Sequence, residues 1–218
     1  ETSQEQTTAN TLTSFNSNGF TLGSQVGQNA NNETYVAWCF NAGTDAAVTI
    51  TANTVGNTIA SDVKANTDAG FSIVSYTGDG VGADTVGHGL SSPPEMYIVK
   101  SLTTGAWWTY NKYLNGGVNP SHYFLRLNEP NGEIFNGSSG GSIFNSTEPT
   151  SSVFSIGTSI NGSNDFIAYC FHSVDGIQKV GSYTGNGTTR KIIETGFEPA
   201  FLMVKPTSTS GYWYILDN

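Results

Sequence analysis

Carboxylates carry most of the acid–base chemistry open to this sequence, so their spacing comes first. Hydrolytic clefts on β-sheets take two carboxylates at i and i+2, or i and i+4, of one strand, where they can divide acid and base roles. Here the acids fall in turns instead: Asp79, Asp84, Glu129, Glu133, Asp165, Glu194 and Glu198. No apolar strand carries such a pair, and Glu129-Pro-Asn-Gly-Glu133 reads as a turn with solvated acids. The three histidines, His88, His122 and His172, lie far apart along the chain. No Gly-x-Ser-x-Gly elbow is present to expose a nucleophilic serine. Gly78-Asp-Gly80 and Gly185-Asn-Gly187 are tight-turn glycines rather than phosphate cradles, since no helix follows to present its positive end. No residue acquires a catalytic claim, and the expectation is a protein that is not an enzyme.

Binding chemistry is better supplied. Trp107, Tyr110, Tyr113 and Tyr123 are the carbohydrate-binding candidates, because aromatic faces stack on sugar rings while neighbouring Asn and Asp meet hydroxyls. Core packing is the competing role for this segment, since Trp108 aligns with Trp213 and Trp107 with Tyr212 in a second copy of the same pattern. Asp79 and Asp84, with nearby carbonyls, offer the hard oxygen donors that Ca2+ takes. They are the metal candidates, and no other cofactor is expected. Asn32, Asn136, Asn145, Asn161 and Asn186 stand in Asn-x-Ser/Thr sequences, which carry little weight in a chain so rich in these residues.

The elements that must position these side chains come in two copies. Tyr35-Val-Ala-Trp-Cys-Phe40 returns 131 residues later as Phe166-Ile-Ala-Tyr-Cys-Phe171, and Phe20-Thr-Leu-Gly23 returns as Phe154-Ser-Ile-Gly157. Ser75-Tyr-Thr-Gly-Asp-Gly80 returns 107 residues later as Ser182-Tyr-Thr-Gly-Asn-Gly187. Met96-Tyr-Ile-Val-Lys100 and Trp107-Trp-Thr-Tyr110 return 105 residues later as Phe201-Leu-Met-Val-Lys205 and Tyr212-Trp-Tyr-Ile215. The order is tail, head, tail, head of one repeated unit. Residues 1–45 read as the C-terminal part of a unit, 46–70 as a linker or long loop with a short strand at Val48-Thr-Ile-Thr51, 71–173 as a complete unit, and 174–218 as the N-terminal part of the next. Gly137–Ser142 reads as a flexible loop inside the complete unit. Each cysteine-bearing segment is apolar on both sides and is expected as a central strand covered on both faces. Cys39 and Cys170 occupy the same slot; two packed free thiols and one disulfide are both open. His88 aligns with Thr195, so the scaffold does not require it, and a surface turn is its expected place.

No stretch shows the 3.6-residue apolar period of an amphipathic helix, and short aromatic or alternating runs between Gly, Asn, Ser and Thr turns point to an all-β sandwich or jelly roll. Of 218 residues only 11% are charged, and the net charge of −9 reflects eight Lys and Arg. With no basic patch, neither nucleic acid nor an anionic membrane surface is an expected partner. Twelve per cent aromatics argues against disorder. The chain begins at Glu1 with no signal peptide, which reads as a processed product, an excised piece or the ordered part of something longer. Starting and stopping in mid-unit, the chain is expected to find its missing half in its own fold or in a neighbour.

Gly181-Ser-Tyr-Thr-Gly-Asn-Gly-Thr-Thr, Thr195-Gly-Phe-Glu-Pro and Phe201-Leu-Met-Val-Lys205 together resemble a repeat of bacteriophage tail and other virion structural proteins, marine ones especially. Ser72-Ile-Val-Ser-Tyr-Thr-Gly, Thr85-Val-Gly-His-Gly-Leu90, Pro149-Thr-Ser-Ser-Val-Phe-Ser and Ile167-Ala-Tyr-Cys-Phe171 are similar to the same group. The resemblance implies a virion component on a concanavalin-like, jelly-roll β-sandwich built from an internally repeated unit, and it brings no catalytic residues. The expected function is a non-enzymatic tail-fibre, tailspike or appendage module, self-associating, joined to other virion proteins and holding host-surface glycans. A purely structural capsid decoration protein and a polysaccharide-degrading enzyme on the same fold are the alternatives.

Overall fold

The structure, a computed structural model, describes residues 2–5, 8–137, 141–187 and 189–217. Of the expected flexible loop, residues 138–140 lie outside the described residues, as does Thr188 of the second glycine motif. The chain divides into two compact units, Glu5–Phe40 and Glu1–Gln4 with Asn41–Asn218.

In the smaller unit, β1 (Leu12–Asn16) and β2 (Gly19–Leu22) form an antiparallel hairpin that sets Phe15 opposite Phe20. A one-turn helix, α1 (Val26–Asn29), follows, and the Gln25 side chain accepts the Gly27 N–H at 2.5 Å to cap it. The Tyr35 hydroxyl closes the loop, accepting from the Ala30 N–H at 3.0 Å and donating to the Val26 carbonyl at 3.1 Å. Residues 35–40, expected as a doubly covered central strand, have no regular secondary structure, and Tyr35, Val36 and Cys39 are exposed.

The larger unit is built on β3 (Val48–Ile50), β4 (Ser61–Asn66), β5 (Phe71–Thr77), β6 (Asp84–Gly87), β7 (Met96–Ser101), β8 (Trp107–Asn111), β9 (Tyr123–Arg126), β10 (Ile134–Phe135), β11 (Val153–Ile156), β12 (Asp165–Phe171), β13 (Phe201–Val204) and β14 (Tyr214–Asp217). An eight-stranded antiparallel sheet runs β10-β9-β8-β7-β12-β5-β4-β3. The second cysteine segment, β12, does take the central place, with Ala168 opposite Val74 on one side and Val99 on the other. Residues 46–70, expected as a linker or long loop with a short strand at Val48–Thr51, supply that strand as β3, with Ile50 packed on the core, and β4 as well. The inward positions of β4 are Ser61, Val63 and Ala65, alternating with Asp62, Lys64 and Asn66, too faint a pattern to stand out in so polar a stretch.

Period-two alternation sends one set of side chains to a single core. From the sheet come Val63, Val74, Tyr76, Tyr97, Val99, Tyr110, Phe124, Phe166, Ala168 and Cys170. Over them lies a second, smaller layer in which β11 pairs antiparallel with β6, with Val86, Phe154 and Ile156 packed in the same cluster. The Phe154 ring sits 5.0 Å from that of Tyr97 and 6.3 Å from that of Tyr76. The Tyr76 hydroxyl donates to the Ile160 carbonyl at 2.8 Å, so even this buried phenol is satisfied. The unit is all-β with one large antiparallel sheet.

The two cysteines part company. Both are free, Cys39 exposed and Cys170 buried, and burial pushes the Cys170 thiol up to about 12, where it is inert. β13 and β14 form a separate two-stranded sheet with Leu202 opposite Leu216. Relative to β7–β8, where Tyr97 opposes Tyr110, this hairpin is one residue out of register. It is anchored within the unit by the Trp213 indole N–H to the Arg126 carbonyl at 3.0 Å and by Gly211 N–H to the Pro130 carbonyl at 2.7 Å.

Candidate functional site

The four aromatic candidates do not converge. On β8, Tyr110 and Trp108 face the core while Trp107 faces the other side, as strand alternation requires. Tyr110 is buried, its ring 4.8 Å from that of Tyr97. Trp108 stays with the core, edge-on to Phe124 at 5.1 Å and covered by the Arg126 guanidinium at 4.7 Å. Tyr123 packs against Phe135 at 5.3 Å, and Tyr113 lies under the Lys112 ammonium at 5.0 Å. Among the turn acids, Glu129 pairs with Arg126 at 2.8 Å and Glu133 accepts the Asn115 N–H at 2.7 Å.

Antiparallel pairing instead assembles a site at one end of the large sheet. The start of β7 and the ends of β8 and β12 meet there, with Met96 opposite both Asn111 and Phe171. The next residues out are therefore neighbours: Glu95 N–H donates to the Phe171 carbonyl and Lys112 N–H to the Glu95 carbonyl, each at 2.8 Å. They wall a cleft of about 330 Å3 whose other lining residues include Tyr110, Glu148 and His172, with Pro93, Pro94 and Pro149 as apolar surface. That volume is at the small end of ligand pockets.

Most polar groups in the cleft are held in place. Glu95 pairs with the Lys112 ammonium and accepts from the Ser173 hydroxyl and from its N–H at 2.9 Å. Burial alone would raise the Glu95 carboxyl, but these donors outweigh it and hold the group below the usual carboxylate range. Burial likewise works to lower Lys112, and the Glu95 carboxylate reverses that and raises it. Across the cleft, Glu148 accepts from the Tyr110 hydroxyl at 2.6 Å and from the Ser121 N–H at 3.0 Å. Burial first, then the Glu148 bond and its charge, raise the Tyr110 phenol. His172 is buried; its Nδ1 lies 2.9 Å from the Ser173 carbonyl, and its Nε2 has no hydrogen-bond partner among the described residues.

Sequence spacing could not have found this group, because Glu95 and Glu148 are 53 residues apart and neither stands on a patterned strand face. The expectation for His88 is overturned as well. It is fully buried beside the cleft, accepting the Leu90 N–H at Nδ1 (3.1 Å), which leaves Nε2–H to donate to the Thr150 carbonyl at 3.1 Å. Burial pushes its pKa down to about 4 against the lift of the Thr150 bond, with repulsion from His172 adding to the fall.

Asp79 and Asp84 do converge, but on an amide. The buried Asn161 Nδ2 donates to Asp79 Oδ1 at 3.0 Å, to Asp84 Oδ2 at 2.7 Å and to the Gly82 carbonyl at 3.3 Å. Its Oδ1 accepts the Asp79 N–H at 3.2 Å, which fixes the amide's orientation. A neutral donor thus stands where oxygen ligands would otherwise face a cation. Replacing Asn161 with aspartate should cost about 2 kcal/mol in chelator, since two charge-assisted bonds become carboxylate repulsion. Millimolar Ca2+ should restore the loss, read by thermal unfolding with and without EDTA. No group of three or more His, Cys, Asp or Glu side chains is placed to hold a metal among the described residues.

No curated protein matches this sequence, and no solved structure does. A family model does, over residues 1–218, and its description is a domain of unknown function. With its whole length matched, the chain belongs to the DUF7483 family.

Proposed function

We propose that this protein is a non-enzymatic structural module of a bacteriophage particle, in a tail fibre, tailspike or other appendage, and that its sheet-end cleft holds host-surface glycans. The observation that carries the reading is the cleft itself. Glu95, Lys112, Glu148 and the Ser173 hydroxyl are preset by hydrogen bonds, beside proline faces that suit the apolar side of a sugar. Carboxylates accept from sugar hydroxyls, and the ammonium donates to them. A carboxyl held below its usual range stays ionised at neutral pH and is a poor general acid, which favours binding over cleavage.

The concanavalin-like jelly roll built from a repeated unit is part of the same reading. Its support is that β7–β8 and β13–β14 are both antiparallel hairpins with a lysine at the end of the first strand that turns back on a following carbonyl. Lys100 turns back on the Ser101 carbonyl, and Lys205 on the Pro206 carbonyl at 3.0 Å. The low-charge surface and the resemblance to virion repeats point to the exterior of a particle.

The test is binding of the full chain to an array of bacterial surface polysaccharides. Lys112→Ala should lower affinity about tenfold, since it removes a charged hydrogen bond to the ligand. Trp107→Ala, on the opposite sheet face, should leave binding unchanged. Release of saccharide fragments would convert the reading to an enzyme, and no binding to any surface polysaccharide would leave only a structural decoration role.

A further inference from the structure

The charges that line the cleft do not cancel. Glu95 and the Lys112 ammonium are matched to each other, whereas Glu148 has no cationic partner among the described residues. Glu148 is exposed, and its charge is one of the causes that raise the Tyr110 phenol. Its two oxygens take one hydrogen bond each, from the Tyr110 hydroxyl and from the Ser121 N–H. A carboxylate offers about four acceptor sites, so Glu148 keeps open ones. A second open acceptor lines the same cleft. His172 is only 8% exposed, and its Nδ1 faces the Ser173 carbonyl, which can only accept, so Nδ1 carries the proton. The neutral ring then holds a bare lone pair at Nε2, with no donor within reach among the described residues. A buried acceptor without a donor carries a cost that an incoming N–H or O–H relieves.

We infer that the cleft selects a sugar bearing a free amino group, a hexosamine residue without its N-acetyl group; this rests on the reading of the cleft as a glycan site. The ammonium of such a sugar pairs with the open side of Glu148, and a further N–H or hydroxyl of the ligand donates to His172 Nε2. Both groups line one small cleft of about 330 Å3. Lys112, its charge already answered by Glu95, keeps its remaining N–H groups for sugar hydroxyls. The alternatives fit less well. An acidic sugar sets a like charge against Glu148, and such juxtaposition is how charged sites reject a ligand. A neutral hexose leaves the Glu148 charge unanswered. An N-acetyl group removes the ammonium and adds a carbonyl acceptor to a site already rich in acceptors. The net charge of −9 favours the approach of a cation from a distance as well.

The experiment compares two forms of one ligand on the full chain: glucosamine oligosaccharides and their N-acetylated counterparts of equal length. The free-amine form should bind about tenfold more tightly, the worth of one charge-assisted hydrogen bond. Salt at about 1 M, where screening acts within about 3 Å, should narrow that gap. Glu148→Gln keeps the side chain's shape and removes its charge. It should abolish the preference and leave the acetylated form's affinity unchanged, with thermal unfolding as the check on folding. Asp62→Asn removes a carboxylate from the exposed side of β4, far along the sheet order from β8, and should keep the tenfold preference. In nitrogen-15 spectra of the wild-type chain, the free-amine ligand should shift the Nε2 resonance of His172. Equal affinity for the two forms, or tighter binding of the acetylated form or of a uronic-acid oligosaccharide, would overturn the inference and leave the glycan site standing. A preference that survives Glu148→Gln, or that Asp62→Asn abolishes as well, would also overturn it. Binding of no saccharide of any kind would remove the glycan reading and this inference with it.

Discussion

Phe154→Ala should cost about 3–5 kcal/mol of folding stability, while the same change at Phe20 should cost less than about 1 kcal/mol. The two phenylalanines open the same motif, Phe-Ser-Ile-Gly and Phe-Thr-Leu-Gly, and sequence alone would assign them equal weight. Phe154 is fully buried between the two layers, its ring against Tyr97 and Tyr76, and it keys the short β6–β11 layer to the large sheet. Truncating it removes the transfer free energy of the ring and leaves a cavity that the aromatic neighbours cannot close. Phe20 is 40% exposed on a hairpin whose strand residues are mostly solvated, so truncation opens no cavity. Denaturant midpoints on the dilute chain, at unchanged m, measure the difference. Equal losses at the two positions would mean that the buried layer does not depend on Phe154.

Stability should also climb by about 3 kcal/mol between pH 4 and 6.5 on account of His88. The folded-state pKa is pushed down to about 4 from the ordinary 6.5, burial being the first cause. Within that window the unfolded chain binds a proton that the folded chain refuses, so unfolding takes up protons and stability rises with pH. The contribution is complete above 6.5, is lost as pH falls toward 4, and changes no further below that. Carboxylates such as Glu95, held below their usual range, lose their share of stability at lower pH. His88→Asn separates the two effects, because it should flatten the profile between 4 and 6.5 and leave the carboxylate limb in place. A wild-type profile already flat across that window would contradict the buried neutral imidazole.

His88 also shows where alignment of the copies misleads. Thr195 in the second copy suggested a dispensable turn residue, yet His88 is enclosed and makes two hydrogen bonds to backbone. Its burial comes from tertiary packing around β6, which similarity between two short segments does not report. The cleft was hidden for a different reason: Glu95 and Lys112 are each the residue beyond a strand end and Ser173 is the second beyond another, and only pairing register brings three such ends together. Asp79 and Asp84 were legible as a converging pair, because both sit in the glycine turn. Their partner Asn161, some eighty residues on, was not.

Local pattern by itself determined that this chain is all-β and that the segment at 166–171 forms a central strand, and similar motifs recur along it. Those features follow from side-chain period and turn chemistry, which a few neighbouring residues set. Tertiary structure decided which copies are buried. Similar apolar hexapeptides are the centre of a sheet at 166–171 and irregular, with exposed residues, at 35–40. A strand exists only where other strands take up its backbone N–H and C=O groups, and no sequence of six residues carries its own partners.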